Sequence, residues 1–136
     1  LSPKMQMEKL SEKIHRFSEK QYNCYNRSLI PALKKYGFHF LSLQELNDKQ
    51  KKFIKKYFMH IVFPVLTPLA VDTSRPFPLL GNKTVNIAVR LRTEDKENAF
   101  ALLQVPSILP RFLELPSQSG KKEFILLENV VYYLEE

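Results

Sequence analysis

The sequence holds three histidines, His15, His39 and His60, and one cysteine, Cys24. An imidazole can ligate a metal or carry a phosphoryl group, and a thiolate can act as nucleophile or ligand. Their spacing argues against metal ligation, because none of them has a partner at the short intervals of a metal-ligand motif. Each histidine therefore reads as a surface or half-buried side chain without a chemical role. Cys24 reads as a small buried apolar residue on a helix. Glu94, Asp95 and Glu97 crowd into one polar connection, where solubility accounts for them. Gly37, Gly81 and Gly120 are the only glycines and lie far apart, so no loop of the kind that cradles phosphates is present. No catalytic, cofactor-binding or metal-binding residue is assigned.

Lysines are the exception. Lys49, Lys51, Lys52, Lys55 and Lys56 concentrate positive charge on one stretch. Each ammonium is a mobile point charge suited to phosphate groups without reading bases. At helical spacing Lys49, Lys52 and Lys56 line one face, with Lys51 and Lys55 on its flanks. Phe53, Ile54, Tyr57, Phe58 and Ile61 make the opposite, apolar face. Because Tyr57 and Phe58 belong to that core-facing side, stacking on nucleobases is a weak reading. The plain alternative is a solvated helix back.

The helix carrying these lysines has a clear start. Asn47 reads as its N-cap, with Gln50 three residues on completing a capping box, and it runs to about Val62. Before it, residues 4–36 read as helix, with Leu10, Ile14, Phe17 and Gln21 at helical spacing and the stripe continuing to Leu33. Pro31 implies either a kink or a new helix starting at Ile30, and Gly37 is a natural stop. Such a stripe needs partner helices. Phe38 to Leu41 reads as an extended connector. Phe63 to Pro78 holds four of the nine prolines. That excludes regular helix and predicts an ordered, mostly extended loop. Thr84–Arg92 and Ala99–Val105 read as an antiparallel hairpin, with Val85, Ile87, Val89 and Leu91 inward and Arg90 and Arg92 outward. Short strands follow at 111–115 and 123–126, and helical spacing resumes at Leu127. The expected class is α+β: a helical-bundle segment, then a small mixed or antiparallel sheet with a hairpin and flanking helices.

The bulk composition agrees with a folded domain. The 136 residues are 44% hydrophobic and 26% charged, which is ordinary for a globular protein. No apolar stretch is long enough to span a bilayer. A single cysteine excludes an intramolecular disulfide. The net charge of +7 is uneven: residues 1–62 hold 13 basic and 5 acidic side chains, residues 63–136 hold 8 and 9. The basic half admits an anionic partner. Leu1 is not a start methionine and Asn129 to Glu136 reads as a helix cut off in mid-course, so a longer native protein is expected.

The segment from Phe63 through Pro64, Leu66, Thr67, Pro68 and Asp72 to Pro76-Phe77-Pro78 resembles the signature that opens the middle domain of polyphosphate kinases. Asn82 and Asn86 match asparagines of the family's next strand. Val105-Pro106 with Leu109-Pro110-Arg111-Phe112 is similar to its "VP…LPRF" segment, and Leu127 to Val131 to its "LEDVI" segment. Upstream, Gln21-Tyr22, Leu29 to Leu33 and Gly37 resemble the end of its N-terminal domain. Thr73, Arg75 and Gly81 depart from commoner residues at their positions.

The resemblance implies a parent enzyme that reversibly moves the terminal phosphate of ATP to polyphosphate, through a phosphohistidine and with magnesium. It places the phosphohistidine and most phosphate-binding arginines in two later domains resembling phospholipase D, and the adenine contact early in the N-terminal domain. Residues 1–46 would then end a helical-bundle domain and its connector, and residues 47–136 would begin an α+β middle domain that helps build a homo-oligomer, a dimer or higher. The chain itself is expected to be a non-catalytic assembly segment whose partners are the remaining domains. Lys49, Lys52 and Lys56 are its candidate polyphosphate-facing residues. The alternative is an independent module that binds polyphosphate or nucleic acid through helix 48–62. A cytoplasmic parent is implied, with peripheral membrane association as a further option.

Overall fold

The computed structural model describes residues 2–71, 77–93, 96–118 and 120–133. The side chains of residues 92–99 also lie outside the description, so the outward placement expected for Arg92 and the surface role of Glu94, Asp95 and Glu97 do too. Asp72 to Pro76 of the proline-rich signature and residues 134–136 of the closing helix lie outside it as well. The class is α+β, and the strands form two three-stranded sheets where a single sheet was expected. Two compact units result: residues 1–39 with 119–122, and residues 40–118 with 123–136.

The first unit is dominated by helix. α1 (Pro3–Cys24) starts at Ser2, whose hydroxyl accepts from the Met5 amide, with proline in the first turn where no N–H is needed. A π-helical turn (Tyr25–Leu29) leads without a break into α2 (Ile30–Lys35). Pro31 falls in the first turn of α2, and the wider π turn before it gives the proline ring room. Gly37 ends the helix at φ +82, a conformation that suits glycine. The apolar stripe predicted here stands exposed: Leu10, Ile14, Phe17, Leu29 and Leu33 all face solvent. Cys24 is exposed too, which corrects the expectation of a buried thiol. It lies on a helix that buries none of its residues in this unit.

The second unit has a core of its own. α3 (Asp48–Tyr57) begins with the capping box predicted from Asn47 and Gln50. It widens into a π turn (Phe58–Val62) and tightens into a 3-10 turn (Phe63–Val65). The π turn takes up one extra residue and so shifts the helix phase. Val62 is fully buried beside Ile54 and Phe58, while Ile61 is 44% exposed. Ile61 was expected inside, because uninterrupted α-helical spacing would have put it there.

β2 (Pro68–Val71) is an antiparallel edge strand on β4 (Lys96–Gln104), whose other neighbour is β3 (Asn86–Thr93). The segment read as a loop thus contains a strand. Proline opens it at an edge, where a missing N–H costs the sheet little. The hairpin β3–β4 forms as predicted, with Ile87 opposite Leu103 and Val89 opposite Ala101. Arg90 faces solvent, as its alternation requires. The inward face is covered less than expected. Val85 and Ile87 pack on the core, but Val89 and Leu91 line an apolar hollow of about 500 Å³ with Phe58, Phe63, Pro64 and Leu66.

The other sheet runs β1 (Phe38–Phe40), β6 (Lys122–Leu126), β5 (Phe112–Leu115). β5 and β6 are antiparallel. The Lys122 amide donates to the Gly37 carbonyl and the Leu41 amide to the Phe124 carbonyl, so β1 runs parallel to β6 and the sheet is mixed. α4 (Leu127–Tyr133) follows, with Leu127, Val130 and Val131 in the core beside Ile54 and Ile125.

Candidate functional site

The basic face of α3 is set by its N-terminus. The Asn47 side chain accepts from the Gln50 amide at 2.9 Å, and the Gln50 side chain accepts from the Asn47 amide at 3.1 Å. Gln50 is also buried, at 1% exposure, and its Nε2 donates to the Pro116 carbonyl at 3.1 Å and to Glu123 Oε2 at 2.7 Å. One amide thus caps the helix and ties it to the chain before and within β6. With Gln50, Ile54 and Phe58 turned inward, Lys49, Lys52 and Lys56 must point outward, and all three are exposed. Lys55 is exposed with them and Lys51 is half-buried. Among the described residues, no ion pair engages any of these lysines. Lys55 and Lys56 sit in the last turn, where the helix dipole favours cations. The result is a fixed helix presenting unpaired ammonium groups.

The other singled-out residues are not brought together. His15 is exposed on α1, and its Nδ1 lies 2.7 Å from the Ser11 carbonyl, a bond local to one helical turn. His39 is half-buried in β1, and His60 is exposed in the π turn after α3. Among the described residues, no group of three or more His, Cys, Asp or Glu could hold a metal ion.

Sequence reasoning missed a second donor-bearing feature. Gly81 to Thr84 forms a tight turn in which Lys83 has φ +60, the only positive value on a non-glycine among the described residues. The Thr84 hydroxyl donates to the Gly81 carbonyl at 2.7 Å and accepts from Asn86 Nδ2 at 2.8 Å. Lys83 lines a cleft of about 230 Å³ with Gln104, Ser107 and Arg111 over an apolar floor that includes Val105 and Leu127. Arg111 is held by Glu128, with Nη2 and Nε at 2.7 and 3.1 Å from Oε1. A lysine two residues after a glycine was the available sequence signal, but nothing in the sequence marks it as left-handed.

Comparison with known proteins agrees with the α+β architecture. Residues 49–135 match the family model described as the polyphosphate kinase middle domain. The chain is 47% identical to a polyphosphate kinase of Halalkalibacterium halodurans over its whole length, and 43% identical to that of Lactiplantibacillus plantarum over 93% of it. It superposes on the crystal structure of polyphosphate kinase from Porphyromonas gingivalis with a TM-score of 0.81 and 26% identity, covering 96% of this chain and 21% of that one. The chain belongs to the polyphosphate kinase family. It spans 20% of the length of the Halalkalibacterium relative and 18% of the Lactiplantibacillus one. No helix among the described residues is long and apolar enough to cross a membrane.

Proposed function

We propose that this chain is a scaffold and assembly segment of a polyphosphate kinase that reversibly transfers the terminal phosphate of ATP to polyphosphate. Residues 1–46 end a helical domain and its connector, and residues 47–136 open the middle domain. The family match over residues 49–135 carries this reading. The uncovered apolar stripe of α1 supports it, since an exposed row of Leu10, Ile14 and Phe17 suits a helix built to pack on others. ATP and magnesium act on other parts of the parent, which is a cytoplasmic homo-oligomer.

A second reading rests on one specific observation, the exposed and unpaired Lys49, Lys52 and Lys56. In it, these cations guide polyphosphate toward the distant reacting groups. Such attraction weakens as salt rises. Lysine-rich helix backs usually serve solubility, which favours the scaffold reading. Replacing all three lysines with glutamine in the full-length enzyme separates the two. A pure scaffold keeps its affinity for long polyphosphate at low salt. A guiding role shows as weaker polymer binding at low salt with unchanged affinity for ATP.

A further inference from the structure

We propose that the apolar hollow beside the π turn of the second unit is closed, in the parent enzyme, by the polypeptide that follows α4. This names an occupant within the scaffold reading, and it rests on residues 47–136 opening a middle domain that continues beyond them. The hollow, of about 500 Å³, extends the core. Phe58 is buried in the core cluster and Leu66 and Leu103 pack against that cluster, yet all three also line the hollow. Phe63 and Leu91 on its wall stay 59% and 36% exposed. Among the described residues, every side chain lining it is apolar. A small-molecule pocket carries a few placed polar groups that orient its ligand, and this wall offers none. Apolar surface continuous with a core is what a packed domain shows where it is divided.

The neighbouring strand points to polypeptide as the cover. β3 is 8 residues long and stands at an edge of its sheet, with β4 on one side and no strand on the other among the described residues. Folded proteins cover, shorten or charge such edges, because a bare one recruits other chains. Val89 and Leu91 of this strand also line the hollow. A stretch of polypeptide can cover both the edge and the hollow, and a small ligand can cover only the hollow.

The path of the chain favours the same polypeptide over a second copy. α4 packs against the π turn that carries Phe58. With 7 residues, α4 is only about 10 Å long, so the polypeptide leaving it starts close to the wall of the hollow. This chain spans 20% of the length of the Halalkalibacterium relative, and a parent of that size holds ample further sequence. A covalently attached segment also meets the hollow at high effective concentration, whereas a second copy must first give up its free motion.

The test is photocrosslinking in the full-length enzyme, with photoleucine placed at Leu91 or, separately, in place of Phe63. Its carbene inserts into whatever touches the side chain, and water quenches it where nothing does. Retained kinase activity shows that each labelled enzyme is folded. Denaturing gels should show product of monomer mass, and peptide mass spectrometry should join both positions to one segment that lies beyond α4 in the same polypeptide. Product of dimer mass would make a second copy the occupant and overturn the proposal. Joins confined to residues 1–133, or quenching by water at both positions, would overturn it too. The scaffold reading is judged separately, by whether the chain alone builds polyphosphate, so an open hollow leaves it standing.

Discussion

Gln50 joins separate parts of the structure through a single amide. It is 1% exposed, it closes the capping box with Asn47, and its Nε2 bonds the Pro116 carbonyl and the Glu123 carboxylate. Removing it would leave those partners unmatched in a partly buried place. Gln50→Ala should therefore cost about 3 kcal/mol, whereas Asn47→Ala, which removes only a cap, should cost about 1 kcal/mol. Urea unfolding midpoints measure both. A Gln50→Ala loss below about 0.5 kcal/mol would place it among ordinary surface changes. The capping box was legible from spacing alone, because it is local chemistry. The burial of Gln50 was not, because its partners lie 66 and 73 residues away. The same limit hid the Lys83 cleft. Its walls come from separate stretches around residues 83, 104–111 and 127, and only the fold brings them together. The outward row of Lys49, Lys52 and Lys56 was legible because one helix contains it.

At the scale of elements, the π turn after α3 decides which apolar side chains reach the core. Ile54, Phe58 and Val62 point inward, and Ile61 does not. Val62→Ala should cost about 2 kcal/mol, while Ile61→Ala should cost under about 1 kcal/mol. Equilibrium unfolding of the two variants compares them directly, and a larger loss at Ile61 would mean that the helix keeps plain α phase to its end. Periodicity located this helix, the hairpin and the two closing strands, since each repeats a pattern over several residues. It failed where the repeat was too short or interrupted. Phe38–Phe40 and Pro68–Val71 are strands of only 3 and 4 residues, and their pairing partners supply what local pattern lacks. Val89 and Leu91 alternate correctly, yet they line a hollow, because alternation gives the side of a sheet and says nothing of what covers it.

For the whole molecule, the two units make different demands. The second has a continuous core from Leu46 to Val131. The first carries helices whose apolar stripe stands open. The proposed supporting role draws on this contrast between an uncovered apolar stripe and a closed core. The family signature was readable because prolines and aromatics at fixed positions are hard to match by chance. If the chain is a supporting segment, the reacting groups of the polyphosphate kinase lie outside these 136 residues. Incubation with magnesium and ATP labelled at its terminal phosphate tests this most directly, with the chain and the full-length enzyme assayed side by side. The full-length enzyme should build labelled polyphosphate, and the chain alone should build none and carry no label on His15, His39 or His60. Polymer synthesis by the chain above a mock preparation, or label on any of those three histidines, would contradict the supporting role.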